Sequence, residues 1–248
     1  MFRGFGTVVN VATVLVGSGI GVLVGHRLLQ RTRDVVTDSL GLVTLLVAAL
    51  SAFSVRDPTL TRAVGSSAPT VIVLGSLLIG GIVGSILRVE YRLEAFGAWL
   101  QARLAGRSSS AERRRFVEGF VAASLLFCIG PLTVLGSLSD GLGNGSDQLV
   151  LKATLDGFAS IAFASSFGWG VAASALVVAV VQGSLTVLGG VLGGLLPQAH
   201  LAAATATGGL LLVGVALRLL RIKQVPVGDL LPALVVAPLL TQLVVVLR

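Results

Sequence analysis

The chain has 248 residues, of which 54% are hydrophobic and only 12% charged, and its mean hydropathy is +0.97. That composition excludes a soluble globular domain of this length. The net charge of +7 does not point to nucleic acid, because the basic residues cluster in short segments between apolar runs, where they set membrane orientation.

Apolar runs of roughly 18–25 residues recur along the chain, each long enough to cross ~30 Å of hydrocarbon as a helix. They do not alternate in polarity as barrel strands of about 10 residues would. The expected fold is all-α: a polytopic transmembrane helical bundle of about eight spans, forming one integral membrane domain over 1–248. Residues 1–88 supply the N-terminal helices, 89–115 a surface helix with a basic linker, and 116–248 the C-terminal helices.

The first span, at about 7–25, follows Arg3 and is longer than a signal-peptide core. It also lacks a small-x-small cleavage site, so it reads as an uncleaved transmembrane helix. It carries Asn10 and the series Gly17, Gly21 and Gly25. The second span falls at about 39–55 and the third at about 69–88, with Gly80 and Gly84 again four residues apart. Small residues at this spacing let helices approach closely.

The segment 89–115 differs. Leu93, Phe96, Leu100 and Leu104 fall at helical spacing with Arg and Glu between them. This predicts an amphipathic helix at the membrane surface, then a Ser-rich turn and the cluster Arg113–Arg115. Glu118 opens the fourth span, about 116–138, either as a helix-terminal charge or as a polar site residue. Gly130 and Pro131 sit at the centre of that span, and Pro removes a helix hydrogen bond, so a kink or break is expected. Carbonyls freed in a broken membrane helix can coordinate ions, and Thr133 follows immediately. Cys128, the single cysteine, cannot form an intrachain disulfide and reads as a buried, inert thiol.

The fifth span, about 149–166, carries Lys152, Asp156 and Ser160 on one helical face. An ionisable group in hydrocarbon costs roughly 3 kcal/mol, so Asp156 is expected to face a bundle interior or a watery cavity. Two readings stand: Lys152 neutralises Asp156 as a structural pair, or Asp156 binds a cation or proton. A Gly-Trp-Gly break precedes the sixth span, about 169–196, which holds Gln182. If 149–196 were one span plus a re-entrant piece, the count would be about seven. The last two spans fall at about 203–220 and 229–247, the latter containing Pro232 and Pro238.

Arg27, Arg31 and Arg33, the arginines of 88–115, and Arg218, Arg221 and Lys223 form one group of basic residues. The positive-inside rule places that group in the cytoplasm and both termini outside. TVLVGSGIGVLVGHRLL with LGLVTLLVAALSAF, and TVLGGVLGGLLPQAH with GGLLLVGVALRLL, read as two copies of one unit. On this topology the copies run in opposite directions, as inverted-topology transporter repeats do. Chance similarity between Gly/Leu/Val-rich helices is the alternative.

Enzyme chemistry is not supported. His26 and His200 lie at span ends, no HExxH motif or Cys/His cluster exists, and Ser137 and Ser139 lack a His at comparable depth. The expected function is secondary transport of a cation or small solute. Asp156 would be the cation or proton site and the best metal candidate, with Ser160, Glu118, Asn10, Gln182 and Thr133 around it. A non-transporting membrane scaffold or a passive channel is the alternative. The expected partners are the lipid bilayer, a cation or proton, and a second copy of the chain through glycine faces. No cofactor and no nucleic acid are implied.

GTVVN, FVEGFVAASLLFCIGPLTVLGSLSDGL, KATLDGFASIAFASSFGWG and LLPALVVAPLL together resemble the YqgA/YdfK-type bacterial inner-membrane proteins, domain-of-unknown-function family 554. The resemblance covers nearly the whole chain. It implies a multispan protein of the bacterial cytoplasmic membrane with no assigned activity. Over part of the chain, TLDGFASIAFASSFG followed by a glycine-rich span and GGLLLVGVALRLL is similar to one half of the MntP-type manganese exporters. That likeness implies inverted halves and a metal-handling role for Asp156, although the N-terminal copy has no matching Asp.

Overall fold

A computed structural model of the chain describes residues 2–27, 29–105, 109–128, 131–192 and 197–247, and their regular structure is entirely helical. In chain order the helices are α1 (Phe5–Gly25), α2 (Gln30–Ala52), α3 (Pro58–Val64), α4 (Ala68–Leu87), α5 (Val89–Ala105) and α6 (Ser110–Cys128). They continue with α7 (Pro131–Leu142), α8 (Asp147–Phe167), α9 (Gly170–Leu192), α10 (Gln198–Leu219), α11 (Val227–Leu230) and α12 (Ala233–Leu247). Among the described residues, 7 helical segments are long and apolar enough to cross a membrane, and up to 8 if the bent pair α6–α7 counts as one span. Large apolar side chains stand bare on their outer faces, among them Leu23 at 71% and Ile86 at 75% exposure. Such faces need lipid as their solvent.

Three boundaries differ from the sequence expectation. The loop at 26–38 is shorter, because α2 begins at Gln30 and takes in Arg31, Arg33 and Asp34. An i,i+4 hydrogen bond of 3.3 Å from Gln30 to Asp34 supports this first part of the helix. The cluster Arg113–Arg115 is not a linker but part of α6. Ser109 and Glu112 form a capping box there: Glu112 Oε2 accepts from the Ser109 N–H at 2.8 Å, and Ser109 Oγ accepts from the Glu112 N–H at 3.3 Å. The fourth span is two helices, α6 and α7, bent 74° from each other. Gly130 lies outside the described residues. Pro131 opens α7, a position where its missing N–H removes no helix bond.

The Gly-Trp-Gly segment separates two full helices, so 149–196 is not a single span. Gly168 takes φ 75° and ψ −149° after α8, a conformation open in practice only to glycine.

Contacts group the chain into two compact units. Unit 1 comprises residues 1–41, 93–128 and 132–194. Unit 2 comprises residues 42–92, 129–131 and 195–248.

In unit 1, α1 runs parallel to α8 in close contact. A Cβ at Gly6 would meet the Leu149 side chain, one at Gly21 the Ile161 carbonyl, and one at Gly25 the Ser165 carbonyl at 2.6 Å. Along the same seam a Cβ at Gly17 would overlap Ser160 Oγ and the Gly157 carbonyl. Only a glycine face lets two backbones come this near. Helix α9 runs antiparallel to α1: Thr7 sits beside Thr186, and Arg3 lies near Gly190.

In unit 2, Leu60, Val64, Ile72, Ala199, Ala202, Ala203 and Ala237 form the buried cluster. Gly80 and Gly84 let α4 meet Ala233 and the Asp229 carbonyl. The charged residues of unit 2 serve connections. Glu90 accepts from Arg218 and from the Gly228 N–H, while Asp229 accepts from the Glu90 N–H at 2.9 Å.

Candidate functional site

Asp156 lies nine residues after Asp147 in α8, about 14 Å along the helix at 1.5 Å per residue. It is 7% exposed. Two groups hold its Oδ2: the Lys152 ammonium one turn earlier on the same helix, and Asn10 Nδ2 of α1, which donates at 3.0 Å. The local cause is the i,i+4 spacing of Lys152 and Asp156. The glycine seam then brings α1 close enough for the short Asn10 side chain to reach across.

The cluster is incompletely satisfied. Asn10 is fully buried, yet its Oδ1 finds no partner among the described residues. Gln182 is also fully buried, and neither its Nε2 nor its Oε1 is paired there. Gln182 lies one turn before Thr186 on α9, so it shares the face that Thr186 presents to α1. Leaving a buried amide group unpaired costs about 1–3 kcal/mol. A fold selected for stability alone would replace such groups with apolar ones.

The remaining sequence candidates divide. Ser160 donates to the Gly157 carbonyl at 2.8 Å and packs at Gly17, one turn from Asp156. Thr133 donates to the Phe127 carbonyl at 3.2 Å, closing a carbonyl that the α6–α7 break leaves open. That carbonyl is therefore not a vacant ion ligand. Glu118 is not brought to the cluster. Its neighbour Gly119 packs against Phe167, eleven residues along α8 from Asp156, or about 16 Å. Cys128 closes α6 at its C-terminal end. Among the described residues no three His, Cys, Asp or Glu side chains converge as a metal would require.

Two features were missed from sequence. Asp140 lies inside α7 and is 3% exposed. Its Oδ2 accepts the Gly6 N–H at 3.0 Å, satisfying one of the open donors at the start of α1. The i,i+3 spacing of Ser137 and Asp140 in SLSDGL was the available signal. Thr7 and Thr186 join their hydroxyls at 3.3 Å, and no local pattern linked residues so far apart. Gly6 and Asn10 are one turn apart on α1, about 6 Å. Polar groups therefore follow one another along α1: Asp140 at Gly6, the Thr7–Thr186 pair, then Asn10 with Lys152 and Asp156. Ser18, two turns further on, is fully buried with its Oγ unpaired among the described residues.

A bundle of apolar helices with an unsatisfied polar interior defines a polytopic α-helical membrane protein. The chain belongs to the family described as Protein of unknown function (DUF554), whose model matches residues 5–242, as the motif resemblance implied. It is similar to the uncharacterized membrane protein YdfK of Bacillus subtilis (strain 168), 30% identical over 234 residues that cover 94% of each chain. It is also similar to the uncharacterized protein YqgA of Escherichia coli (strain K12), 27% identical over 232 residues and again 94% of each chain. No solved structure matches the chain.

Proposed function

We propose that this protein is a secondary transporter of a cation or small solute in the bacterial cytoplasmic membrane, with Asp156 as its cation- or proton-binding group. The observation that carries the proposal is the buried Lys152–Asp156–Asn10 cluster, in which Asn10 Oδ1 is unpaired among the described residues. Unpaired buried acceptors are what a transient cation or water requires. Lys152 acts as the resident counter-ion: an arriving cation or proton takes over the carboxylate, and the ammonium is released. Asp140, Thr7 and Thr186 extend the polar series toward the N-terminal end of α1. The antiparallel contact of α1 with α9, the glycine-rich helices of the two sequence copies, fits an inverted repeat.

The test is flux in proteoliposomes holding a pH-sensitive dye, after an imposed cation or pH gradient, with Na⁺, K⁺ and Mn²⁺ as probes. Wild-type protein exchanges protons with at least one of these cations. Asp156→Asn leaves Lys152 without its partner and so lowers the melting temperature, and it abolishes the exchange by the protein that remains folded. Undiminished exchange in Asp156→Asn overturns the proposal.

A scaffold reading is favoured by one specific observation. The α1–α8 seam bears an apolar groove of about 360 Å³ between Val16, Ile20, Phe158 and Ile161, where a partner helix could dock. On that reading Lys152 and Asp156 only neutralise each other, and Asp156→Asn changes assembly without changing flux.

A further inference from the structure

A second site lies where α1 and α8 end and α6 begins, all within unit 1. A cavity of about 470 Å³ opens there, lined among others by His26, Arg33, Gln101, Glu112, Arg115 and Trp169. Arg33 donates through Nε and Nη2 to the Gly25 carbonyl at the end of α1. Arg115 donates through Nη2 to the Ser166 carbonyl at the end of α8. Ser166 Oγ in turn donates to the Arg33 carbonyl at 3.3 Å, tying the two arms together. Both guanidinium groups line the same cavity.

These bonds to carbonyls orient the arginines but do not neutralise them. Neither arginine belongs to the Lys152–Asp156 or the Arg218–Glu90 ion pair. A guanidinium has five N–H donors, so most of the donors on this pair remain available. Glu112 is the opposing charge in the lining, but its Oε2 is engaged by the Ser109 N–H and hydroxyl. Two arginines that line one cavity, each anchored to a helix-end carbonyl, in a space large enough for a small ligand, form a receptor for a tetrahedral oxyanion. Trp169, 58% exposed at the cavity, is the amphipathic type of side chain that membrane–water interfaces favour.

We propose that Arg33 and Arg115 bind a phosphate group, carried either by an anionic phospholipid headgroup or by a free phosphate. The proposal does not rest on Asp156. The basic residues of 26–38 and 88–115 place this end of the bundle in the cytoplasm, where anionic headgroups and phosphate are both present.

The experiment follows Trp169 fluorescence in full-length protein with Trp99 replaced by Phe, since the chain has two tryptophans. The protein is titrated in mixed micelles with phosphatidylglycerol, with phosphatidylcholine, and separately with inorganic phosphate. Phosphatidylglycerol gives a saturable change and phosphatidylcholine none. Arg33→Gln or Arg115→Gln weakens binding about tenfold or more, as expected for losing a charge-assisted contact, and Glu112→Gln tightens it. If inorganic phosphate competes at millimolar concentration, the ligand is a free phosphate; if it does not, the ligand is the lipid headgroup. Should a glutamine variant fail to fold, Arg33→Lys and Glu112→Gln still decide: the first weakens binding by losing the planar fork, and the second strengthens it. Equal responses to both lipids, or binding indifferent to all four substitutions, overturn the proposal.

Discussion

The two units differ in where they place their charged residues. Unit 2 buries a cluster of Leu, Val, Ile and Ala, and its buried His200 bonds Gln242 through Nε2 while Nδ1 is unpaired among the described residues. It spends its charges on connections: the half-buried Glu90 is satisfied on both oxygens, by Arg218 and by the Gly228 N–H. Unit 1 places Lys152, Asp156, Asp140, Asn10 and Gln182 inside and leaves several of their atoms unpaired. Unit 2 therefore shows that this composition can build a bundle without internal charge. The polar interior of unit 1 is an addition that opposes stability, which points to a use other than folding.

The largest effect that tests this contrast comes from removing one member of the buried pair. Lys152→Met leaves Asp156 charged and without its ammonium, which costs about 3–5 kcal/mol. The double variant Lys152→Met/Asp156→Leu regains most of that loss. Thermal unfolding in detergent, followed by circular dichroism, measures both, and a double variant no more stable than the single one would contradict the assignment.

Gly84→Ala in unit 2 is next. Its Cβ would overlap the Asp229 carbonyl, and overpacking of this kind costs about 1–3 kcal/mol. The melting temperature falls while cation exchange by the folded fraction stays intact. Loss of exchange at unchanged stability would show that unit 2 shares the functional role.

The smallest effect is at Asp57, the N-cap of α3, whose Oδ1 accepts from the Thr59 N–H at 2.7 Å. Bonding from the Thr59 hydroxyl, with the backbone N–H groups of Thr59 and Leu60, holds its carboxyl below the ordinary range. Its contribution is complete above the usual carboxylate range and is lost as pH falls through the lowered value. Asp57→Ala costs about 1 kcal/mol or less for this exposed cap. It also flattens the acid limb of the unfolding profile, and an acid limb unchanged from wild type would remove Asp57 from that account.

Much of the fold was legible because hydropathy and length alone separate the spans. Gly130 and Pro131 marked the break between α6 and α7, and the glycine series marked close helix contacts. The partners of those glycines were not legible, since the same Gly-rich face would accept several helices. Charge patterning misled at Gln30–Asp34 and at Arg113–Arg115, where residues read as loop belong to helices. At the site, Lys152 and Asp156 announced themselves through i,i+4 spacing. Asn10 reaches Asp156 across 146 positions of sequence, and Asp140 reaches Gly6 across 134. Contacts of that range arise only from helix packing, so no local pattern encodes them.

The central claim is that the interior of unit 1 is a passage that water and ions reach. The most direct measurement is labelling of Gln182→Cys, in a chain with Cys128 replaced by Ser, by a membrane-impermeant thiol reagent in oriented vesicles. The account predicts that Cys at position 182, though fully buried in this structure, is labelled, and that an imposed pH gradient changes its labelling rate. No labelling under any gradient, in a variant that folds as wild type, would contradict it.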